Sequence, residues 1–497
     1  MISSLFFANF QALMFPQEIK LAPLTLLVGA NSAGKSAIGR SMRFMQQSFE
    51  DRFIHFNGNR VDLTSFEQTV SDNNADDLIR LGFGTDESFE IPAEGPLGPE
   101  REGLFATFVP EMVCFELAGT ETKVAEVNAR IRFSVEVRHS GNRADGKARD
   151  ALPNARHLGS GSIRFRTVRK HGSEIDVTAE LLEGEAFFAR WLWDGDSSLG
   201  ELANALEFKI HFGRALRPSP LEKTFKSDAA RRFFEILSKS ISVYSKISTS
   251  SQWVGPVRNI SSGFQEYRRS GDGGTARAKD SVLSASGDNL QQVALNMARE
   301  DFEELSKHLS RLTEGRFELR RIVMNSDAKY VPALGQVFLF DRDKQGDIPV
   351  AFKDAGSGIS QILPFLILAM GDSYPHMKPS GKVTFVEQPE LHLHPRMQAE
   401  LGDFLINATA TRGKGERAYR NQIIAETHSE AVIIRLLRRI REGVISPGDV
   451  AIVAIDKFEG GGSLAQHCRI SGDGSLIDDL PISFTKLRMN DILGLDG

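Results

Sequence analysis

The segment GANSAGKS, Gly29 to Ser36, carries the pattern G-x-x-x-x-G-K-[ST]. Glycines let a backbone wrap a phosphate without a Cβ clash. Successive N–H groups and a following helix N-terminus offer that phosphate positive potential. In this reading Lys35 reaches the β- and γ-phosphate oxygens of a nucleotide, and the Ser36 hydroxyl binds Mg2+. The cradle comprises Gly29, Asn31, Ser32, Ala33, Gly34, Lys35, Ser36 and Ala37. Farther along, Gly356, Ser357 and Gly358 in AFKDAGSGISQILPFLILAM form a second loop of bare N–H groups and small hydroxyls. Such a loop suits a γ-phosphate or a purely structural turn. TFVEQPELHLHP, Thr384 to Pro395, and NQIIAETHSE, ending past Thr427 and His428, place polar groups at the ends of two apolar runs.

The elements that must hold these groups are legible from hydrophobic patterning. The opening, broken by Pro16 and Pro23, reads as two or three short strands, the last being Leu24–Val28. A helix follows the glycine loop, with Ile38, Met42, Met45 and Phe49 on one face. From about Phe105 to Phe212, segments such as RIRFSVEVR and SIRFRTVRK alternate with the period of a strand, which predicts a β-rich insertion. Residues 220–315 read as mainly helical, strands resume after Phe317, and TFVE and QIIAE read as short buried strands. The predicted organisation is α/β: residues 1–100 hold the glycine loop, 101–215 the β-rich insertion, 216–320 a helical subdomain and 321–497 the remaining site groups.

Bulk properties exclude several classes. With 497 residues, 41% hydrophobic and 25% charged, the chain is an ordinary globular protein of two or three structural units. A net charge of −5 gives no global argument for nucleic acid, so such contact requires local basic patches. One candidate runs from Arg138 to Lys170, with nine Lys or Arg against two Asp; a solvated loop is the alternative. SEAVIIRLLRRIREG is an amphipathic helix with Ile433, Leu436, Leu437 and Ile440 on its buried face and Arg435, Arg438, Arg439 and Arg441 away from it, a solvated arginine face by default, with contact to nucleic acid or an acidic partner as the alternative. Cys114 and Cys468 cannot form a metal cluster alone and suit a reducing compartment. The longest apolar run, Ile362 to Met370, falls far short of a membrane span, and no cleavable secretion signal is evident. The expectation is a soluble, cytoplasmic protein.

Taken in order, GANSAGKS, VDLTSFEQTV, WVGPVR, DAGSGISQILP, VEQPELHLHP, ETHSE and GVISPGDVAIV resemble the motifs of bacterial stand-alone AAA-family ATPases with an ABC-type head. These belong with the SMC-like and overcoming-lysogenisation-defect ATPases. The resemblance implies a composite site. Two copies meet with two-fold symmetry, and ATP with Mg2+ sits between the P-loop of one and the loop at Gly356, Ser357 and Gly358 of the other. That loop departs from the usual Leu-Ser-Gly-Gly-Gln wording. By family position Glu387 supports Mg2+, with a structural salt bridge as its alternative, and His428 matches the switch histidine that bonds the γ-phosphate. Gln68 in SFEQTV matches either a Mg2+-sensing glutamine or an ordinary exposed helix residue, and Arg258 in WVGPVR matches a motif without an assigned role.

Gln388 stands where the resemblance expects the catalytic glutamate. An amide orients water but cannot accept its proton near pH 7, and general-base help is worth about 10²–10⁴-fold. Slow hydrolysis is therefore expected, with Glu390 the best replacement and Glu426 a weaker one. The pair His392 and His394 has no third and fourth ligand at useful spacing, and lies where these heads have a dimer-contacting loop. The family also implies a separate effector subunit such as a nuclease, in a bacterial antiviral defence setting. Related proteins carry a Toprim nuclease after the ATPase, but about 70 residues follow His428 and VAIVAIDKFEGGG supplies no acidic cluster for two metals. The competing expectations are a DNA-repair ATPase acting on DNA ends and a scaffold that binds ATP only to assemble.

Overall fold

The computed structural model describes residues 1–51, 56–71, 78–87, 89–92, 104–120, 123–139, 156–169, 175–183, 207–211, 219–220, 228–256, 265–267, 289–297, 299–324, 333–343, 348–352, 356–370, 383–412, 419–458 and 461–478. They form two compact units. One comprises Met1–Lys20, Ala37–Thr249 and Lys457–Leu464; the other comprises Leu21–Ser36, Ser250–Asp456 and Ala465–Gly497.

The chain opens with β1 (Ile2–Ala8), β2 (Gln17–Lys20), β3 (Leu24–Val28) and helix α1 (Lys35–Asp51), followed by the single-turn α2 (Phe66–Thr69). Next come β4 (Ile79–Thr85), β5 (Phe89–Pro92), β6 (Leu104–Thr120) and β7 (Lys123–His139). Then follow β8 (Arg156–Arg169), β9 (Ile175–Glu183), β10 (Glu207–His211), β11 (Ser219–Pro220) and helix α3 (Asp228–Ser250). The first unit is built on one antiparallel sheet in the order β11-β10-β9-β8-β7-β6-β4-β1-β2, with β5 paired to β6. The alternating segments of the sequence thus become long hairpin strands, as period-two patterning requires. The predicted helix face of Ile38, Met42, Met45 and Phe49 is buried, and Phe44, Phe56 and Phe66 continue that core, with rings 5.1 and 5.8 Å apart.

The second unit holds β12 (Gln252–Val254), β13 (Gln265–Tyr267), α4 (Leu290–Asn296), α5 (Arg299–Leu312), β14 (Phe317–Met324), β15 (Ala333–Asp341) and β16 (Ile348–Val350). It continues with α6 (Ser357–Met370), β17 (Val383–Glu387), α7 (Pro395–Thr409), and the paired β18 (Thr411–Arg412) and β19 (Tyr419–Arg420). Last are β20 (Gln422–Glu426), α8 (Glu430–Arg441), β21 (Val450–Lys457) and β22 (Ser463–Cys468). Its main sheet has the order β12-β17-β20-β3-β21-β22, with β12, β17, β20, β3 and β21 running parallel. LTLLV of β3 and QIIAE of β20 are buried throughout, the near-continuous run expected of parallel strands covered on both faces. A smaller antiparallel sheet, β13-β15-β14 with β16, packs its Phe317, Leu319, Val337 and Leu339 into the same core. Among the described residues no helix is long and apolar enough to cross a membrane.

Parallel strands carry their functional groups to one edge, because every strand ends on the same side. Register fixes the detail: Glu387 lies opposite Glu426, and Glu426 opposite Leu27, one residue before β3 gives way to the glycine loop.

Candidate nucleotide site

The glycine loop leaves β3 at Gly29, whose φ is +147°. A Cβ there would lie 2.1 Å from the Ile455 carbonyl oxygen on β21, so only glycine lets the loop start this close to the sheet. Ser32 and Gly34 also take positive φ, +61° and +96°, and turn the chain into α1. Lys35 is 3% exposed, and its Nζ donates to the carbonyls of Gly29 at 2.9 Å and Ala30 at 2.7 Å. Burial lowers the pKa of this ammonium, against the raising pull of Glu426, Glu390 and Asp456. Gly29→Ala is expected to destabilise the protein by about 2–5 kcal/mol, combining an unfavourable φ with overlap against a buried strand. Denaturant unfolding without nucleotide measures this.

The strand ends supply the facing groups. Ser36 Oγ lies 3.0 Å from Glu426 Oε2 and 3.2 Å from Oε1, and Lys35 Nζ lies 3.9 Å from Oε1. Glu426 is 5% exposed. Glu387 is half-buried at the end of β17. Gln388, next in the chain, has φ +44°, and its N–H donates to the Glu426 carbonyl at 2.8 Å. Glu390 is buried, and its Oε1 accepts the backbone N–H of His428 at 2.7 Å. His428 Nε2 is buried without a hydrogen-bond partner. Burial, then the Lys35 charge, lower the His428 pKa, so the ring is neutral at pH 7. Beyond it, Ser429 caps α8 through the Val432 N–H and donates to Gln398 Oε1 at 2.7 Å, and Gln398 Nε2 donates to the Leu393 carbonyl. These bonds tie the histidine strand end to the segment after β17.

The second loop starts α6. Gly356 and Ser357 are exposed, and Gly356 has φ +87°. At Gly358 a Cβ would meet the His392 carbonyl oxygen at 2.7 Å, so the loop abuts the segment that follows β17. His394 caps α7 by accepting the Arg396 N–H at 3.4 Å, which gives the His-x-His pair a structural use. Among the described residues no three His, Cys, Asp or Glu side chains group as a metal site. Magnesium in a nucleotide site takes one or two carboxylates together with phosphate oxygens. Ser36, Glu387 and Glu426 are oxygen donors of that kind.

The fold brings Lys35, Ser36 and Glu426 together at one edge and Glu390 to His428. Glu426, expected only as a weaker replacement base, is the acid that meets Ser36; its signal in the sequence is an acid closing an apolar run two residues before the histidine.

Residues 159–435, more than half of the chain, match the family described as "AAA domain, putative AbiEii toxin, Type IV TA system". The chain belongs to this AAA-domain family. No curated protein matches it. Among solved structures, an SmcHead bound to the C-winged helix domain of ScpA is similar at 11% identity over 94% of this chain and 97% of that one, with a TM-score of 0.39. The SMC head domain from Thermotoga maritima gives 10% identity over 94% and 99%, at 0.35. An Smc head bound to a ScpA domain derived from Pyrococcus furiosus gives 11% over 100% and 99%, at 0.36. At such scores the likeness carries nothing about partners or activity.

For this AAA-domain ATPase the arginine-rich helix proves to be an ion-pair face. Arg435 and Arg439 both bond Asp403 on α7, Arg438 and Arg439 bond Glu442, and Arg441 donates to the Asp473 carbonyl. Asp403 and Glu442 offset the charges of Arg435, Arg438 and Arg439, whereas Arg441 meets only a neutral carbonyl. Gln68 is an exposed residue of α2 in the first unit. Arg258 and residues 140–155 of the basic stretch lie outside the described residues.

Proposed function

We propose that the chain binds ATP with Mg2+, that two copies close around the nucleotide with two-fold symmetry, and that hydrolysis is slow. The observation that carries this reading is the meeting of a buried lysine, a P-loop serine and a carboxylate at the ends of β3 and β20, beside a strand that ends in Gln388. The residues fit the ligand. A cradle that a Cβ would fill starts at Gly29, and His428 presents a buried ring nitrogen without a hydrogen-bond partner.

Gly29, Asn31, Ser32, Ala33, Gly34, Lys35, Ser36 and Ala37 hold the phosphates, and Ser36 with Glu387 holds Mg2+, which when bound neutralises phosphate charge. Neutral His428 donates Nε2–H to a γ-phosphate oxygen. Glu390, accepting the His428 backbone N–H, positions that ring. Gln388 orients the attacking water but takes no proton from it. Gly356, Ser357 and Gly358 face the γ-phosphate bound by the other copy. His428→Ala is expected to lower turnover by about a hundredfold while leaving ATP affinity within a few-fold, the pattern of a transition-state donor.

A mixing experiment tests the composite site. Lys35→Ala and Ser357→Arg are each expected to be inactive alone. Mixed in equal amounts they should recover turnover through mixed dimers, each with one intact site; random pairing, with half of the dimers mixed, would give about a quarter of wild-type turnover. Absence of recovery with both variants folded would sink the shared-site reading. The slow ATP-bound state would gate an effector subunit or a nucleic-acid transaction in bacterial defence; the family's description as a putative toxin of a Type IV TA system supports a toxin-like setting. Gln388 also favours a second reading, an ATP-dependent scaffold, which predicts assembly with no turnover at all.

A further inference from the structure

We propose that Glu426 is a second acidic group of the metal site beside Glu387, supplied from β20, the strand next to the one that leads into the glycine loop. The inference rests on the ATP–Mg2+ reading above and adds a residue to it. Glu426 and Glu387 are register partners on adjacent parallel strands, so both carboxylates leave the sheet at the same edge. Of the two, Glu426 lies on the strand that borders β3, and it alone has a hydrogen bond to Ser36 among the described contacts.

The distances fit an ion. Magnesium holds its oxygen ligands at 2.0–2.1 Å in near-ideal octahedral geometry, so two adjacent ligand oxygens lie about 2.9 Å apart. Ser36 Oγ and Glu426 Oε2 are 3.0 Å apart. The pair therefore already has the spacing of one octahedron edge, bridged by a hydroxyl proton. An ion held by this pair would require the Ser36 hydroxyl to turn a lone pair, in place of its proton, toward the shared side. Lys35 Nζ, 3.9 Å from the other carboxylate oxygen, offsets the negative charge until phosphate draws it away. Placing the acid on the neighbouring strand keeps a carboxylate at the metal while leaving Gln388, the usual place of the base, without one.

The test uses the full chain with adenylyl imidodiphosphate and Mn2+, reading free Mn2+ by electron paramagnetic resonance and nucleotide affinity in EDTA by calorimetry. Glu426→Gln should weaken Mn2+ retention about tenfold or more, in the range for losing one supporting group at a metal. Its metal-free nucleotide affinity should stay the same or rise, since an anion facing the phosphates has gone. Glu426→Asp should recover part of the metal affinity; if Glu426→Gln fails to fold, the same comparison on Glu426→Asp decides. Wild-type Mn2+ retention in the variant overturns the assignment. So does a proportional loss of metal-free affinity, which would mark Glu426 as a structural tie for Ser36. Failure of the wild-type chain to bind the nucleotide would instead remove the ATP reading itself, so the two failures are distinguishable.

Discussion

Lys35→Ala is expected to lower ATP affinity by about a hundredfold and to abolish nucleotide-dependent self-association. The lysine is the cation most deeply placed in the loop, with its ammonium resting on the Gly29 and Ala30 carbonyls. Phosphate oxygens compete well against neutral carbonyls for that charge, because hydrogen bonds between charged partners are roughly twice as strong as neutral ones. Two such bonds at about 1.5 kcal/mol each account for the hundredfold estimate. Calorimetry with Mg-ATP gives the affinity, and light scattering with and without nucleotide gives the assembly. Melting without nucleotide separates this loss from misfolding, since removal of Lys35 also takes a cation 3.9 Å away from buried Glu426. Retention of both binding and assembly in a folded variant would remove the basis of the nucleotide reading.

Gln388→Glu is expected to raise turnover by about a hundredfold, at the lower end of the range for general-base help. The residue sits at the end of β17 with its N–H on the Glu426 carbonyl and its carbonyl accepting the Leu391 N–H, so the backbone already holds the position a base would use. Glutamate is nearly the same shape, and the left-handed φ of +44° strains either residue equally. The new carboxylate joins Glu390 and Glu426 near the Lys35 ammonium, and that added negative charge sets the estimate at the lower end. Single-turnover kinetics at saturating Mg-ATP separates chemistry from release. An unchanged chemical step would show that another group already serves as base, with Glu390 the first to examine by Glu390→Gln.

These two substitutions probe different parts of one arrangement. On the proposed function Lys35 would act on binding, whereas Gln388 would act only on the rate after binding. A protein that must stay ATP-bound for long periods needs strong binding and a poor base together. The double variant should therefore resemble Lys35→Ala, because a better base cannot act on a nucleotide that is not held.

Several features were open to a reader of the residues alone because their causes are local. Leu24–Val28 forms a strand because four apolar residues and the β-branched Thr25 run between Pro23 and a glycine, and GANSAGKS turns because Gly29 and Gly34 sit where positive φ is needed. The helix from Ser429 was readable from its apolar spacing: Ile433, Leu436 and Ile440 are buried as that spacing demands, Leu437 is half-buried, and Val432 joins the buried face. What lay hidden was the neighbour of each element. The fate of the arginines on that helix depended on Asp403, some thirty residues away on α7, and local patterning gives no signal for such a pairing.

A glycine cradle carrying Lys35 and a strand closed by glutamate and glutamine follow from residue type and spacing within a few positions. The burial of Lys35 and the choice of carboxylate that meets Ser36 come from the three-dimensional pairing of distant segments. That contact spans 390 positions and exists because β20 pairs in parallel between β3 and β17, which brings Glu426 to the same edge as the P-loop. Strand order within a parallel sheet is set by how helices and loops pack across it, and no single strand carries that information in its own residues.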